Sequence, residues 1–298
     1  MPNLSRRHLL ALAAALPLPA LALSSPELSQ ALAALEARAG GRLGVAVLDS
    51  GSGAQAGHRA DERFGLCSTF KLLLAGAVLQ RIDEGRWPAE RTIRFSKADL
   101  VSHAPVVRAH LAQGRLSAVE LAEATQTTSD NAAANLLLRE LFGGPSGLTA
   151  WLRERGDTVT RLDRWEPEMS RLPPGELRDT STPAAIAASA ARLLTGDWLQ
   201  AASRARLIAW MEATQTGTRR LRAGLPKGWR AGDKTGTGLH PSMQDLTNDV
   251  AIVWPGPERA PWLIAAYYEG PRRSLDIQAA DEAVLAEVGR LVGRWQPA

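Results

Sequence analysis

Apolar and polar positions after the N-terminal leader first predict a helix and then a strand. Residues 27–39 alternate apolar and polar side chains at helical spacing and stop at Gly40-Gly41. Residues 43–48 form a short apolar run, which the Asp-Ser-Gly-Ser-Gly stretch at 49–53 ends. The pattern therefore predicts a helix over 27–39 and a buried strand over 43–48, with a turn behind it.

The centre of the chain has a different pattern. From about Ser68 to Met211 it is rich in Ala and Leu, it is divided by helix caps and by Pro or Gly, and few of its segments alternate like strands. Thr182-Pro183 before an Ala-rich run is typical of a helix start, with a Thr cap and Pro in the first turn. The apolar run at 132–138 predicts another helix. The centre is therefore expected to be a helical unit.

Strand patterns return near the C-terminus. Three segments between turn signals read as strands: 229–237, 249–254 and 262–268. Residues 274–295 have the spacing of an amphipathic helix that closes the chain. The simplest packing pairs the first strand with the late ones in one sheet, and the central helices then form a second domain.

The first residues have the features of an export signal. Two arginines at 6–7 precede an apolar run to about residue 23, and small residues at 20–22 suit a cleavage site. We predict a signal peptide over 1–24 of the twin-arginine type, which delivers the protein to the periplasm. A membrane anchor is the alternative, but prolines interrupt the run and it is short. We expect no stable membrane association after cleavage.

Charge, cysteine and histidine content exclude several function classes. The 35 basic and 31 acidic residues give a net charge of +4, and loss of the two leader arginines leaves 33 against 31, or +2. Nucleic acid is therefore not an expected partner. Cys67 is the one cysteine, so an internal disulfide is excluded. No pair of the five histidines has metal-ligand spacing, and we expect neither a metal nor an organic cofactor.

The first candidate for chemistry is Ser-Thr-Phe-Lys at 68–71, before an apolar helical run. Ser68 and Lys71 are three residues apart and share one helix face. At a helix N-terminus, free N–H groups can stabilise developing negative charge, and a desolvated lysine can take the serine proton. The alternative is an ordinary helix cap and a surface lysine, which is the commoner meaning of this pattern alone.

Two further motifs follow at wide spacing. Ser-Asp-Asn at 129–131 precedes the predicted helix at 132–138, where it could be a simple cap. Functionally, Ser129 could pass a proton to a leaving nitrogen, and Asn131 could bind a substrate amide. Lys-Thr-Gly-Thr-Gly at 234–238 lies on a predicted strand, where glycine admits a ligand close to the backbone and Lys234 can bind a carboxylate.

Together, these three motifs resemble the penicillin-recognising serine enzymes, which include β-lactamases and DD-peptidases. A fourth motif distinguishes the two groups, because Arg-Leu-Asp-Arg-Trp-Glu-Pro-Glu-Met-Ser at 161–170 resembles the Ω-loop of class A β-lactamases. Asp179 lies where that family closes the loop on Arg164, and the resemblance implies a cis bond between Glu166 and Pro167. Without the family, the stretch is a charged loop with a turn proline.

The resemblance covers nearly all of the chain after the leader and implies its fold. We expect an α+β fold: a five-stranded antiparallel sheet with flanking helices, plus an all-helical domain. The α/β domain would comprise residues 25–62 and 213–298. The helical domain would comprise 63–212 and include an Ω-loop over 161–179. A monomer is implied by resemblance alone.

The resemblance also assigns roles in the hydrolysis of β-lactam antibiotics, and hence in antibiotic resistance. Penicillins are the expected substrates, with cephalosporins and carbapenems as further candidates. The oxyanion would be bound by the backbone N–H groups of Ser68 and Thr237. Either Lys71 or Glu166 would take the first proton, and the sequence leaves both open. The implied catalytic residues are Ser68, Lys71, Ser129, Glu166 and Lys234. The implied substrate-binding residues are Asn131, Ser170, Arg220, Thr235, Gly236, Thr237 and His103.

Four features depart from the family pattern. Ser170 replaces an asparagine that helps to hold the hydrolytic water, and His103 replaces an aromatic wall residue. Cys67 precedes the nucleophile but position 238 is Gly, so the disulfide of one carbapenem-hydrolysing branch cannot form. The loop at 239–247 is longer than usual. These departures bear on the substrate range rather than on the reaction.

Two alternative functions share part of this pattern. A DD-peptidase has the first three motifs but keeps penicillin as a stable acyl-enzyme. A β-lactam sensor binds covalently without turnover and usually carries transmembrane segments. In the family, an arginine reaches the substrate carboxylate from one of two positions, and Thr-Gly-Thr-Arg-Arg at 216–220 resembles one of them, with Arg220 as that residue. The alternative is a solvated arginine on a loop, which is expected for Arg219 and Arg222.

Overall fold

The structure is a computed structural model, and it describes residues 22–297. The predicted export signal therefore lies outside the described residues, except for positions 22–24. Within the described chain, no helix has both the length and the apolar character needed to cross a membrane.

A five-stranded antiparallel sheet forms the centre of the molecule, as predicted, with strand order β2-β1-β9-β8-β7. Its strands are β1 (Arg42–Asp49), β2 (Gln55–His58), β7 (Arg230–Gly238), β8 (Leu246–Trp254) and β9 (Trp262–Glu269). The N-terminal β1 pairs along its whole length with β9, so that Val45 lies opposite Ala266. The sheet thus joins the two ends of the chain.

The fifth strand, β2, is absent from the sequence prediction. It is a four-residue edge strand, Gln-Ala-Gly-His, that lacks a regular alternation of apolar side chains. Gly57 lets it approach β1 closely, because a Cβ at that position would lie 2.3 Å from the carbonyl oxygen of Val45. Between β9 and β7, β8 begins three residues before the predicted position 249, at Leu246.

Helices cover both faces of the sheet and form the rest of the molecule. They are α1 (Ser25–Ala39), α2 (Phe70–Asp83), α3 (Pro105–Ala109), α4 (Ala118–Thr127), α5 (Asn131–Phe142), α6 (Pro145–Glu154), α7 (Pro183–Leu194), α8 (Ala201–Glu212), α9 (Leu221–Gly224) and α10 (Ala279–Val292). The short strands β3 (Phe64–Gly65), β4 (Thr92–Arg94), β5 (Arg115–Ser117) and β6 (Thr180–Ser181) lie between them.

Two apolar cores follow from the alternation of residues along the strands. Val45 and Ile264 face one side of the sheet, where they pack with Leu32 of α1 and Leu285 of α10. Ala46, Ile252 and Leu263 face the other side and join the large core of the central helices. Successive strand residues point to opposite faces, so one sheet serves both cores. The domain boundaries at 62/63 and 212/213 stay a prediction.

Helix α2 runs through the helical core, and this position fixes the candidate nucleophile. All of its residues from Phe70 to Gln80 are buried. Gly76 permits close contact with α7, because a Cβ there would lie 2.6 Å from a methyl carbon of Leu193. The start of α2 is therefore fixed by packing along most of the helix.

The C-terminal helix is shorter than the prediction of 274–295, since α10 spans Ala279–Val292. Polar contacts explain its late start. The buried carboxylate of Asp245 accepts the backbone N–H of Ser274 at 2.7 Å, and the guanidinium of Arg272 contacts Asp281 at 2.7 Å. Residues 274–278 thus belong to a loop that is tied to the sheet.

Candidate active site

Ser68 lies in a short 3₁₀ turn, Cys67–Thr69, that leads directly into α2. The turn is tied to its surroundings at Thr69, whose hydroxyl donates to the carbonyl of Leu66 at 2.7 Å and lies 3.0 Å from the hydroxyl of Tyr267. Cys67 precedes the serine with a φ of 44°, in the left-handed region. The hydroxyl of Ser68 consequently faces the cavity from the start of a buried helix, as the sequence predicts.

Lys71 is buried and lies at the centre of a polar network. Its Nζ donates to Ser68 Oγ at 2.9 Å and to the carbonyl of Ser129 at 2.9 Å, and it also contacts the side-chain oxygen of Asn131. The same nitrogen lies 2.9 Å from Glu166 Oε1. A fully buried ammonium requires such partners, because burial without them is costly.

Ser129 lies between two lysines. Its Oγ is 3.4 Å from Lys71 Nζ and accepts from Lys234 Nζ at 3.0 Å. Lys234 also donates to the carbonyl of Thr235 at 2.8 Å. Burial, followed by the nearby charge of Lys71, lowers the pKa of Lys234 to about 7.

Asp130 explains why the 129–131 motif begins a helix. Its carboxylate accepts from the backbone N–H of Ala133 at 2.9 Å and caps α5. It also accepts from the N–H groups of Val106 and Val107 at 2.8 and 3.0 Å. In this motif, Asp130 is therefore the helix cap, whereas Ser129 and Asn131 are the candidates for chemistry.

Glu166 is buried beside the serine, with Ser68 Oγ donating to its Oε1 at 3.2 Å. The peptide bond to Pro167 is cis, as the resemblance implies. Asn135 contacts Glu166 on both backbone groups: its Nδ2 donates to the carbonyl at 2.9 Å, and its Oδ1 accepts from the N–H at 3.1 Å. The sequence prediction did not include Asn135. Its signal is a second amide four residues after Asn131, within the otherwise apolar run at 132–138.

The neck of the Ω-loop is closed as predicted. Arg164 Nε donates to Asp179 Oδ2 at 2.6 Å, and Asp179 Oδ1 accepts the backbone N–H groups of Asp163 and Arg164 at 2.7 and 2.9 Å. Burial raises the pKa of the Asp179 carboxyl, and these hydrogen bonds lower it by a smaller amount. The loop therefore begins and ends at one buried carboxylate.

The 234–238 strand contributes the opposite wall. Gly236 packs on the Cys67–Thr69 turn and the residue before it, since a Cβ there would lie 2.9 Å from the carbonyl oxygen of Leu66. The Thr235 hydroxyl lies 2.6 Å from that of Thr216, and the Thr237 hydroxyl accepts from Arg220 Nη2 at 2.7 Å. Hydroxyl groups thus line this side of the cavity.

Arg220 is only 2% exposed, so only a small part of its side chain reaches the cavity that it helps to line. Its Nη1 donates to the carbonyls of Gly236 and Asn248 at 2.9 and 2.8 Å. The expectation for Arg222 was wrong, because its guanidinium forms a bidentate pair with the buried Asp233 at 2.6 and 2.7 Å. Arg219 has a 71% exposed side chain and contacts Glu282 at 2.7 Å.

Two predicted substrate contacts lie at the edge of the site. His103 is exposed and has a φ of 56°, and its ring nitrogen contacts the carbonyl of Thr128 at 2.8 Å. The Ser170 hydroxyl donates to the sulfur of Met169 at 3.2 Å. Between residues 22 and 297, no hydrogen bond joins Ser170 to Glu166. Both residues nevertheless line the cavity.

The cavity has a volume of about 670 Å³, within the range of small-molecule sites. It brings together residues from three motifs and the Ω-loop, which are far apart in sequence. In the described chain, no cluster of three or more His, Cys, Asp or Glu has the arrangement of a metal site. The cavity lining includes Ser68, His103, Ser129, Asn131, Glu166, Ser170, Arg220, Thr235, Thr237, Leu239 and His240.

Comparisons with known proteins agree with this geometry. The profile of the Beta-lactamase enzyme family matches residues 27–296. Beta-lactamase L2 of Stenotrophomonas maltophilia is 45% identical over 88% of this chain and 84% of its own. The Carbapenem-hydrolyzing beta-lactamase KPC of Klebsiella oxytoca is 44% identical over 88% of this chain and 87% of its own.

Solved structures give the same result. The ancestral class A β-lactamase GNCA superposes with a TM-score of 0.83 at 54% identity, over 89% of this chain and 98% of its own. A β-lactamase from Xanthomonas campestris superposes with a TM-score of 0.82 at 49% identity, over 89% and 96%. With a serine, two lysines and a glutamate around one cavity, the chain belongs to the class A serine β-lactamases, which hydrolyse β-lactams.

Proposed function

We propose that Ser68 attacks the β-lactam carbonyl to form an acyl-enzyme and that Glu166 then directs water onto the ester. The observation that carries this proposal is the arrangement around Ser68 Oγ, which lies 2.9 Å from Lys71 Nζ and 3.2 Å from Glu166 Oε1. A hydroxyl between an amine and a carboxylate has a proton acceptor within hydrogen-bonding distance.

Acylation needs a base and a site for the oxyanion. Both Lys71 and Glu166 contact the Ser68 hydroxyl, so either group can take its proton. Glu166 would do so directly or through a water, and Lys71 would do so as the neutral amine, after passing one proton to Glu166 at 2.9 Å. We assign the oxyanion to the backbone N–H groups of Ser68 and Thr237, as the family resemblance implies. Fixed donors at that position stabilise charge that develops in the transition state.

Ring opening needs a proton on the leaving nitrogen, and we assign its delivery to Ser129. The hydroxyl of Ser129 contacts Lys234 at 3.0 Å and Lys71 at 3.4 Å. Either lysine can replace the proton that the hydroxyl donates. Asn131 contacts Lys71 and lines the cavity, and we assign to it the side-chain amide of the substrate.

The substrate carboxylate is assigned to Lys234, Thr235 and Thr237, with Gly236 admitting it close to the strand. Arg220 is proposed to act mainly through Thr237, because its guanidinium is buried and donates to that hydroxyl. This is a refinement of the sequence prediction, in which Arg220 bound the carboxylate directly. A charged donor behind a hydroxyl strengthens the hydrogen bond that the hydroxyl gives.

Deacylation is assigned to Glu166, which Asn135 holds next to Ser68. Ser170 is proposed to assist the water once its hydroxyl turns away from Met169. His103 is assigned to the entrance of the cavity, where its ring is exposed.

Penicillins are the primary substrates in this proposal, and cephalosporins follow. Carbapenems are included because a relative 44% identical is named a carbapenem-hydrolysing enzyme.

Three further assignments belong to this proposal. The functional unit is a monomer with an α/β domain at 25–62 and 213–298 and a helical domain at 63–212. The leader is a twin-arginine signal, and the enzyme acts in the periplasm. In the periplasm, the enzyme would destroy the drug before it meets cell-wall enzymes, and this gives resistance.

The test is hydrolysis of nitrocefin and benzylpenicillin by purified protein, together with the Glu166→Ala variant. The parent should turn over repeatedly, whereas the variant should accumulate acyl-enzyme with penicillin. A parent that is inactivated after one equivalent is a DD-peptidase or a sensor. A variant that binds penicillin but never acylates would make Glu166 the sole acylation base and overturn the division of roles.

A further inference from the structure

The loop between β7 and β8, residues 239–245, folds back against the molecule and buries the side chains of Met243 and Asp245. Met243 is 1% exposed and packs with Cys67, Leu246 and Leu172. These partners belong to the Cys67–Thr69 turn, to β8 and to the Ω-loop. A single thioether therefore contacts three parts of the chain that surround the active site.

The far end of this loop is fixed to the sheet and to the loop before α10. The backbone N–H of Asp245 donates to the carbonyl of Arg272 at 2.9 Å, and its carbonyl accepts from Gly270 at 2.8 Å. Its buried carboxylate accepts from the N–H of Ser274 at 2.7 Å. Met243 thus extends from a well-supported segment, which can act as an anchor.

What Met243 anchors is the second half of the Ω-loop. The backbone N–H of Leu172 donates to the sulfur of Met243 at 3.0 Å, and its side chain lies over Gly65, where a Cβ would be 2.9 Å from a Leu172 methyl. Beyond this point the loop is exposed, with Leu177 58% exposed. Residues 172–177 line a cavity of about 720 Å³. The carbonyls of Arg171 and Leu177 accept from Arg164 and Thr180 of the same loop region at 3.1 and 2.6 Å, whereas Met243 supports Leu172 from outside it.

Leu172 is close to the proposed deacylation machinery along a short, hydrogen-bonded segment. The N–H of Met169 donates to the carbonyl of Trp165 at 2.9 Å, and that of Ser170 donates to Pro167 at 3.1 Å. This turn contains Ser170, which is two residues before Leu172. Glu166 is joined to the start of the turn through Pro167. A shift of Leu172 is therefore transmitted to the groups that face the acyl ester.

We propose that Met243 is a positioning residue for deacylation, which fixes Ser170 and Glu166 through Leu172. Methionine suits this position because its flexible thioether fills an irregular gap and its sulfur accepts a hydrogen bond. The proposal rests on the assignment of deacylation to Glu166. Acylation is expected to be less sensitive to Met243, because two partners of Lys71, Ser129 and Asn131, lie outside the Ω-loop and hold its amine from α5 and the segment before it.

The experiment measures acylation and deacylation separately, by stopped flow with a penicillin, in the full-length mature enzyme. In Met243→Ala, deacylation should slow about tenfold, since small displacements of catalytic groups have large effects on rate. When deacylation limits turnover, kcat and KM fall together and kcat/KM changes little. The acyl-enzyme should then accumulate at steady state in the intact-mass spectrum.

Two matched variants complete the design. Met211→Ala removes a fully buried methionine from α8, so it should lower the melting temperature without changing the ratio of the two rates. Met243→Leu keeps the packing and removes the acceptor of the Leu172 N–H, so deacylation should slow by about threefold, the scale of losing one modest hydrogen bond. If Met243→Ala does not fold, the deacylation rate of Met243→Leu tests the inference by itself.

The outcomes are distinct for the inference and for the proposed function. Unchanged deacylation in the Met243 variants, or equal slowing of both steps, overturns the inference. If the Glu166→Ala variant fails to accumulate acyl-enzyme, the assignment of deacylation to Glu166 fails instead. If Glu166→Ala accumulates acyl-enzyme while Met243→Ala deacylates at the rate of the parent enzyme, the proposed function stands and only the inference about Met243 is contradicted.

Discussion

The side chain of Asn135 is hydrogen-bonded to the backbone of Glu166 on both sides of that residue. It donates to the Glu166 carbonyl at 2.9 Å and accepts from the Glu166 N–H at 3.1 Å. Asn135 lies on α5, whose first residue, Asn131, contacts Lys71. One helix therefore sets the position of both groups that contact Ser68.

Removing this pair of hydrogen bonds should affect deacylation most. We expect Asn135→Ala to lower penicillin deacylation by about 100-fold, because a displaced general base loses its alignment with the water. Quenched-flow measurement of acyl-enzyme decay gives this rate directly.

Thr149→Ala is the control for Asn135→Ala. Its hydroxyl donates to the carbonyl of Leu162 at 2.9 Å and accepts from the N–H of Leu162 at the same distance, near the start of the Ω-loop. This change should cost about 1 kcal/mol of unfolding free energy and leave decay of the acyl-enzyme within a factor of a few. Equal slowing in both variants would mean that Asn135 only supports the loop as a whole.

The lowered pKa of Lys234 predicts an alkaline limb in the pH profile. Burial and the charge of Lys71 bring that pKa from 10.5 to about 7, so free enzyme loses the ammonium, and with it affinity for a carboxylate, as pH rises above 7. Because kcat/KM reports the free enzyme, it should fall above pH 7. In the substrate complex, the bound carboxylate raises the pKa of Lys234, so kcat should hold to higher pH.

Lys234→Arg provides the comparison for this profile. A guanidinium remains protonated throughout this range, so the limb that begins near pH 7 should disappear from kcat/KM even if the absolute rate is lower. A flat parental profile from pH 7 to pH 9, or the same limb in both enzymes, would contradict the assignment of the limb to Lys234.

Several parts of this picture follow from sequence, since each carries a local signature. The motifs at 68–71, 129–131 and 234–238 lie where predicted, around one cavity, and the three late strands pair in one sheet. These features depend on residue type and local spacing, which the sequence displays directly. The position of Ser68 at a helix start follows in the same way.

Other features depend on contacts between distant segments, and the sequence prediction missed them. Strand β2 is only four residues long and is defined by its pairing with β1. Arg222 was expected to be solvated because its partner Asp233 is eleven residues away, on β7. The contact between Met243 and Leu172 joins residues 71 apart in an irregular loop, which no periodic pattern indicates.

Ser170 provides a prediction about carbapenems. Its hydroxyl is smaller than an asparagine amide and currently donates to Met169, which leaves room beside Glu166 for the hydroxyethyl group of such a drug. We expect Ser170→Asn to slow imipenem deacylation more than penicillin deacylation, by about tenfold, or roughly 1.4 kcal/mol. Single-turnover decay of the two acyl-enzymes gives the comparison.

Two results would contradict this role for Ser170. If both drugs respond equally to Ser170→Asn, the serine is a tolerated substitution without influence on substrate range. If the parent enzyme shows no imipenem turnover, the space beside Glu166 is insufficient for carbapenem hydrolysis. Ser170→Ala is the matched control, because it keeps the space and removes the hydroxyl, and it should slow both drugs to a similar extent.

The most direct test of the account is peptide mass spectrometry after mixing Glu166→Ala enzyme with a penicillin and quenching in acid. Attack by Ser68 requires one equivalent of penicilloyl adduct on the peptide that contains Ser68, and no adduct in a Ser68→Ala, Glu166→Ala double variant. An adduct on any other residue, or undiminished penicillin turnover in Ser68→Ala, would contradict the mechanism.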